Sequence, residues 1–289
     1  MEHVEIAIIG TGPAGISAAI NAQIRKKSCL LFGTGSLSEK VQRSERIENY
    51  PGFPAITGPD LIKALRSHLD AMQIPITEKR ITGVYPMGAY FALLADQEEY
   101  RADCVILATG VEATKPVEGE RELLGRGVSY CATCDGNLYR GKTIAVVCDN
   151  PQMEEEAEYL AGLAGKVYYD PRFQGAKLSV PNAERLTASI RQVLGGLRVN
   201  AVRCLDGREI ELDGVFFLKQ SVSAAVLLPG LASEKGHVTV DREMATNIPG
   251  CFACGDCTGG PFQLAKAVGE GNIAAHSAVA YLAKLQKKD

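Results

Sequence analysis

Val4-Glu5-Ile6-Ala7-Ile8-Ile9-Gly10-Thr11-Gly12-Pro13-Ala14-Gly15 stands almost at the start of the chain, and the fold turns on how it is read. The stretch from Val4 to Ile9 alternates too little for a half-exposed strand and fits one buried in a parallel sheet. It runs into a glycine-rich turn and then an alanine- and isoleucine-rich helix reaching about Ala22. In such a turn Gly10 allows the bend, Gly12 lets backbone N–H groups approach a pyrophosphate, and Gly15 brings helix and strand close. The same letters also fit a simple glycine-rich turn. Their place between a strand and a helix points instead to a dinucleotide site, with Pro13 and Ala14 among its contacts. Cys29 to Phe32 is the expected second strand, but it ends in Gly33-Thr34-Gly35, where a ribose-binding acid is usual. The ribose contact must differ or be absent.

The 289 residues exceed one ordinary domain, so two domains with separate cores are expected. A composition 46% hydrophobic with a net charge of -3 describes a soluble chain with no global field for nucleic acid or membrane. No apolar run approaches membrane length, and a strand begins at once, so neither a signal peptide nor an anchor is expected, and the protein reads as cytoplasmic. Nine cysteines, an odd number in a long chain of this type, argue against a structural disulfide framework.

Further along, the turn-rich loop Ile47 to Pro54 precedes a helix from about Gly58 to Met72, whose His68 reads as a packed or solvated residue. A strand-rich section leads to Cys104-Val105-Ile106-Leu107-Ala108-Thr109-Gly110, a buried strand ending where glycine allows a ligand to come close. Next comes Ser129-Tyr130-Cys131-Ala132-Thr133-Cys134-Asp135-Gly136. Two cysteines at this spacing can close a disulfide with little backbone movement, and the adjacent acid can manage a thiolate's proton. Half of a zinc site is the other reading of the pair.

A second strand–turn–helix unit starts at Lys142 to Val147. Its turn, Cys148-Asp149-Asn150-Pro151-Gln152-Met153, has no glycine, and Asp149 with Glu154, Glu155 and Glu156 puts negative charge where a phosphate belongs. The next strand, Lys166 to Tyr169, ends in Asp170-Pro171-Arg172 rather than an arginine cluster. The unit has the shape of a dinucleotide fold without its ligands. Short strands follow, with a hairpin at Asp206-Gly207, and the chain returns through Val238 to Val240 and Cys251-Phe252-Ala253-Cys254-Gly255-Asp256 to a final helix from about Gln263 to Lys284.

Taken together, GTGPAG, ENYPGF, ATG, GRGVSYCATCDG, CGDCTG, Gln-x-Ala and GEG resemble the low-molecular-weight thioredoxin reductases over nearly the whole chain. The resemblance implies an α/β protein of two Rossmann-like, doubly wound, three-layer domains, the second inserted into the first. Residues 1–113 and 243–289 would bind FAD; residues 114–242 would carry the redox cysteines on a degenerate NAD(P)-binding-like fold. It also implies a homodimer. Gly10, Gly12 and Gly15 would meet the FAD pyrophosphate, Asn49, Thr109 and Gly110 would lie close to the cofactor, and Asp256 would bind the ribityl chain. Gln263, Leu264 and Ala265 would face the flavin pyrimidine end, where a helix N-terminus favours negative charge. Lys40 stands where a glutamine is usual.

Both nicotinamide-nucleotide motifs are missing, and Lys219-Gln220 replaces a usual Ile-Gly. This pattern is similar to the ferredoxin-dependent flavin thioredoxin reductases. The implied route runs from reduced ferredoxin through FAD to the dithiol and on to thioredoxin. Cys134 is expected against the flavin, Cys131 to attack thioredoxin, and Asp135 to handle the proton. The alternatives are an NADPH-dependent reductase with an atypical nucleotide site and an FAD-bearing redox sensor or docking protein. Cys254-Gly255-Asp256-Cys257 repeats the Cys-x-x-Cys spacing, so a second redox pair or a zinc site with Cys131 and Cys134 is conceivable; packing thiols are expected, and no metal. Arg43, Arg46, Arg121, Arg126, Arg140 and Lys142 are candidates for docking an acidic ferredoxin.

Overall fold

The computed structural model describes residues 2–95, 98–110, 116–219 and 223–286. The chain divides into two compact units, Met1–Val111 with Ser223–Asp289, and Glu112–Val222. The central unit is thus an insertion in the terminal one. The return point differs from the expected 242/243. Residues 223–242 go with the terminal unit because Val240 packs on its core, while Asn247 accepts the Ala232 N–H (2.8 Å) and donates to the Gly230 carbonyl (2.9 Å).

In the terminal unit the strand Glu2–Ile9 lies between two parallel neighbours, Cys29–Phe32 and Glu98–Leu107. Ile6, Ala7 and Ile8 are all buried, as a strand covered on both faces requires. The long strand Glu98–Leu107 changes character along its length. Its first half alternates between core and surface and pairs antiparallel with Phe91–Ala95. Its last residues are continuously buried and pair in parallel with Cys251–Ala253, the strand supplied by the returning chain.

One face of this sheet is closed by two helices, Pro13–Ile24 and Leu264–Leu285, which meet through Ala14, Ala18, Ala22, Ala267, Ala274 and Ala278. Small residues let the backbones approach closely: a Cβ on Gly271 would lie 2.1 Å from the Ala14 carbonyl oxygen. Ser17 Oγ donates to the Val268 carbonyl at 2.7 Å across this contact.

The central unit is built on a parallel sheet in the order Ala183–Arg185, Lys166–Pro171, Thr143–Cys148, Gly214–Leu218, Val128–Ser129. The helix Glu154–Leu163 covers it, packing Ala157 and Leu160 on Ile144, Val146 and Phe216. An antiparallel sheet of Ile190–Gly195, Val199–Cys204 and Glu209–Glu211 carries the hairpin at Asp206-Gly207. Among the described residues no helix is long and apolar enough to cross a membrane.

Candidate active site

At the head of the terminal unit Gly10 has φ +119°, and a Cβ there would lie 2.2 Å from the Ala108 carbonyl oxygen, so glycine is required on two counts. Gly12 caps the helix Pro13–Ile24 without any side-chain hydrogen bond, and a Cβ on it would meet nothing within 4 Å. The first-turn N–H groups therefore face open space, ready for an anion. Beside them Thr109 Oγ1 is buried with no hydrogen-bond partner among the described residues, and Gly110 turns the chain with φ +71°. An open cradle, free helix donors and an orphaned hydroxyl fit a flavin dinucleotide.

Three distant segments converge beside this turn, where a Cβ on Gly255 would lie 2.8 Å from Ala14 Cβ. Lys40 Nζ lies 2.6 Å from Asp256 Oδ2, and Asn49 Nδ2 donates to Gln263 Oε1 at 2.7 Å. The Phe262 ring, 5.4 Å from Lys40 Nζ, joins the two pairs. Gln263 is the N-cap of the closing helix and has no side-chain cap, so the donors of Leu264 and Ala265 are also free of side-chain partners. Asp256 sits in the short turn Gly255–Thr258, which Lys266 and Glu270 brace from that helix. Lys266 Nζ donates to the carbonyls of Gly255 (2.7 Å) and Gly259 (2.7 Å) and to Thr258 Oγ1 (2.8 Å). Glu270 Oε2 accepts from Gly255 N at 2.9 Å and Thr258 Oγ1 at 2.8 Å.

In the central unit Cys131 and Cys134 are joined as a disulfide, with Cα atoms 5.4 Å apart. Cys131 is the N-cap of the short helix Ala132–Asp135, and its Sγ accepts the Cys134 N–H at 3.1 Å. A sulfur so placed is stabilised as thiolate once the bond opens. Ser129 Oγ accepts the Cys131 N–H (3.1 Å), fixing the approach to the turn. Cys134 is exposed and Cys131 half-buried.

The strand ends where a second dinucleotide would lie are occupied by the chain itself. Asn150 Oδ1 accepts the Gln152 N–H (2.9 Å). Glu154 Oε1 accepts the N–H groups of Lys177 (2.7 Å) and Leu178 (2.9 Å) and the Tyr169 hydroxyl (3.0 Å). Burial pushes the Glu154 carboxyl up, but the Leu178 and Lys177 N–H groups and the Tyr169 hydroxyl outweigh it and hold it below its usual range. It therefore keeps its negative charge. Arg172, the cation of this edge, lies 3.4 Å from Asp170 and 3.8 Å from Asp149.

Residues 4–149 and 184–271 match the family model for pyridine nucleotide-disulphide oxidoreductases. The thioredoxin reductase of Bacillus subtilis is 33% identical, with 98% of this chain and 96% of the relative aligned. The chain belongs to the thioredoxin reductase family. A thioredoxin reductase of Listeria innocua is 32% identical over 98% of this chain and 95% of its own. Among solved structures, a ferredoxin-flavin thioredoxin reductase of Clostridium acetobutylicum superposes with a TM-score of 0.91 at 47% identity, covering 98% of this chain and 99% of that one. The thioredoxin reductase of Gloeobacter violaceus gives 0.80 at 28% identity, covering 98% and 95%. The chain is therefore a flavin-type thioredoxin-disulfide reductase.

The remaining seven cysteines are free thiols, and all but Cys29 are buried. Burial pushes the Cys251 thiol up to about 12 and Cys257 to about 11. Cys257 Sγ donates to the Cys254 carbonyl at 3.2 Å, and both are free thiols. No metal-holding cluster occurs among the described residues. His68 is exposed in the last turn of its helix Gly58–Ala71.

Arg43 pairs with Glu39 and Arg46 with Glu48, while Arg126 and Lys142 line a central-unit groove of about 670 Å³ with Arg198. Gln220 lies outside the described residues. Residues not singled out from sequence are Phe262, Lys266 and Glu270 around Asp256, and Glu78, whose carboxylate accepts the Gly35 N–H (3.2 Å) at the strand end lacking the usual acid. Glu78 directly follows the strand Ile76–Thr77, and that position was its one available signal.

Proposed function

We propose that the protein is a homodimeric, FAD-containing thioredoxin reductase whose electron donor is reduced ferredoxin. The observation that carries the donor is the filled crevice of the central unit. A pyridine nucleotide needs free helix N–H groups and room for a pyrophosphate. Here Asn150 caps that turn and Glu154 keeps its charge at the helix start. The 47% identity to a ferredoxin-flavin enzyme over nearly the full chain supports the same donor.

Gly10, Gly12, Pro13, Ala14 and Gly15 would hold the FAD pyrophosphate, with Thr109, Gly110 and Asn49 beside the cofactor. Asp256 would take the ribityl chain, and Gln263, Leu264 and Ala265 the pyrimidine end. Lys40 reaches this site by its ion pair with Asp256. Bound FAD supplies the chemistry that joins a one-electron donor to a two-electron disulfide.

Cys131, the sulfur held as thiolate by the Cys134 N–H, then attacks the disulfide of thioredoxin, forming one mixed S–S bond and releasing one thioredoxin thiolate. Cys134 attacks Cys131, frees the second thioredoxin thiolate and restores the Cys131–Cys134 bond. Asp135 supplies protons to the departing sulfurs.

The test compares reduced ferredoxin with NADPH without oxygen, following flavin absorbance and thioredoxin thiols together. Ferredoxin should drive both; flavin bleaching by micromolar NADPH would overturn the donor. Cys134→Ser should trap a stable mixed disulfide between Cys131 and thioredoxin, and trapping by Cys131→Ser instead would reverse the two roles.

A further inference from the structure

The central unit buries a lysine. Lys219, directly after the strand Gly214–Leu218, is 2% exposed, and its Nζ lies 2.5 Å from Oε1 of Glu120, which is fully buried. An ammonium is expensive to bury even when paired, and an apolar residue at the end of this apolar strand would avoid the cost. The position of the pair suggests what offsets it. The same Glu120 oxygen accepts the Tyr130 hydroxyl at 2.6 Å, and Glu120 Oε2 accepts the Val117 N–H at 2.9 Å. Lys219 Nζ also lies 5.6 Å from the centre of the Tyr130 ring and 5.4 Å from that of Phe217, within cation–π range.

Tyr130 is the residue between the edge strand Val128–Ser129 and Cys131. That strand joins the central sheet at two positions, Val128 with Val215 and Ser129 with Phe216, and Val128 also bridges Leu124. So short a ladder is a weak grip on the segment that delivers a reacting sulfur. Beyond it the charged pair takes over, gripping Tyr130 by its hydroxyl and ring.

We propose that Glu120 and Lys219 are positioning residues for the Cys131–Cys134 couple, acting through Tyr130. The need arises in the reduced half of the cycle, when no S–S bond joins the two turns of backbone and Cys131 must still find Cys134 quickly. A fixed Tyr130 raises the effective concentration of one thiol at the other. The inference rests on Cys131 and Cys134 being the exchanging pair. The trapping experiment above bears on that, whereas the equilibrium below bears on positioning.

The holoenzyme is equilibrated without oxygen in glutathione buffers of defined ratio. Cys131 and Cys134 are then alkylated and their oxidised fraction read by mass spectrometry. In this exchange the protein disulfide and two glutathione thiols give the protein dithiol and one glutathione disulfide, so two electrons and two protons are transferred. Tyr130→Phe keeps the ring and loses the donor. It should lower the equilibrium constant for forming the protein disulfide about tenfold, which is about 30 mV for a two-electron couple. Turnover should fall while KM for thioredoxin holds.

The double variant Glu120→Leu with Lys219→Met removes both charges and leaves an apolar filling, the replacement that buried ion pairs tolerate. It should keep its thermal stability yet shift the equilibrium in the same direction. A purely structural role predicts unchanged glutathione equilibria in the folded enzyme. A Tyr130→Phe holoenzyme within about twofold of the wild-type constant overturns the proposal, whatever the double variant does.

Discussion

Replacing Lys266 by methionine keeps the length of the side chain and deletes the charge that braces the Asp256 turn. The ammonium has three protons to share among four acceptors: Gly255 O, Gly259 O, Thr258 Oγ1 and Glu270 Oε2. Thr258 Oγ1 has one proton, so Gly255 O keeps that donor only when Glu270 Oε2 gives it up. Gly259 O, on a buried residue, loses its lysine donor, at about 1–3 kcal/mol for an unsatisfied buried carbonyl.

Glu270, 17% exposed, loses a counterion at 2.9 Å, which at that burial adds about 1–2 kcal/mol. Against this, removing a cation from the first turn of the closing helix returns about 0.5 kcal/mol. The net loss is about 3 kcal/mol. Because the disturbed turn carries Asp256, flavin affinity should fall by up to about a hundredfold, at tenfold per 1.4 kcal/mol. Urea unfolding of the flavin-free protein and fluorescence titration of flavin read the two quantities. Adding Glu270→Gln should recover the charge part and leave a loss of about 1–2 kcal/mol from the carbonyl. A Lys266→Met protein with flavin affinity within twofold of wild type and stability within about 0.5 kcal/mol would refute the bracing role.

Three further outcomes are expected. Gly271→Ala would normally strengthen a helix by up to about 1 kcal/mol, but its Cβ would sit 2.1 Å from the Ala14 carbonyl oxygen, so calorimetry should show a net loss of about 2 kcal/mol. Burial pushes the Cys104 and Cys251 thiols up to about 12, above their unfolded value. Their contribution to stability should be complete below about pH 8.5 and decline as pH rises toward 12, by up to about 1.4 kcal/mol per pH unit for each thiol, and Cys251→Ala should flatten that decline in alkaline urea titrations. Ferredoxin-linked turnover should drop steeply between low and moderate salt if the donor docks through charge, and a salt-independent rate would count against such docking.

The features legible in the sequence were those written in adjacent letters. The strand and turn from Val4 to Gly15, the Cys131–Cys134 spacing and the acidic, glycine-free turn at Asp149 each carry their chemistry within a few residues. What stayed hidden depends on pairs brought together by the fold. Glu120 and Lys219 are 99 positions apart, and neither has neighbours that signal a buried charge. Lys40 and Asp256 are separated by 216 positions, so a residue that broke the expected glutamine pattern could not be matched to its partner. The return point from the central unit differs from the sequence expectation because residues 223–242 have weak local pattern, and their contacts, through Val240 and Asn247, are with the terminal unit. The order of the two cysteines' exposure follows from the helical turn that Cys131 caps, which spacing alone does not orient.

The strand Cys251–Ala253, which completes the terminal sheet beside Val105–Leu107, has a consequence for how the protein is made. On a ribosome the residues from Glu112 to Val222 emerge as one contiguous block and can assemble their sheet as they appear, since domains form as units during synthesis. The amino-terminal segment emerges earlier but must wait, with the edge beyond Leu107 unpaired, until more than a hundred further residues have been translated. Flavin capture is thereby postponed until that returning strand has emerged, and a chain stalled before it would carry a finished disulfide unit with nowhere to draw electrons from.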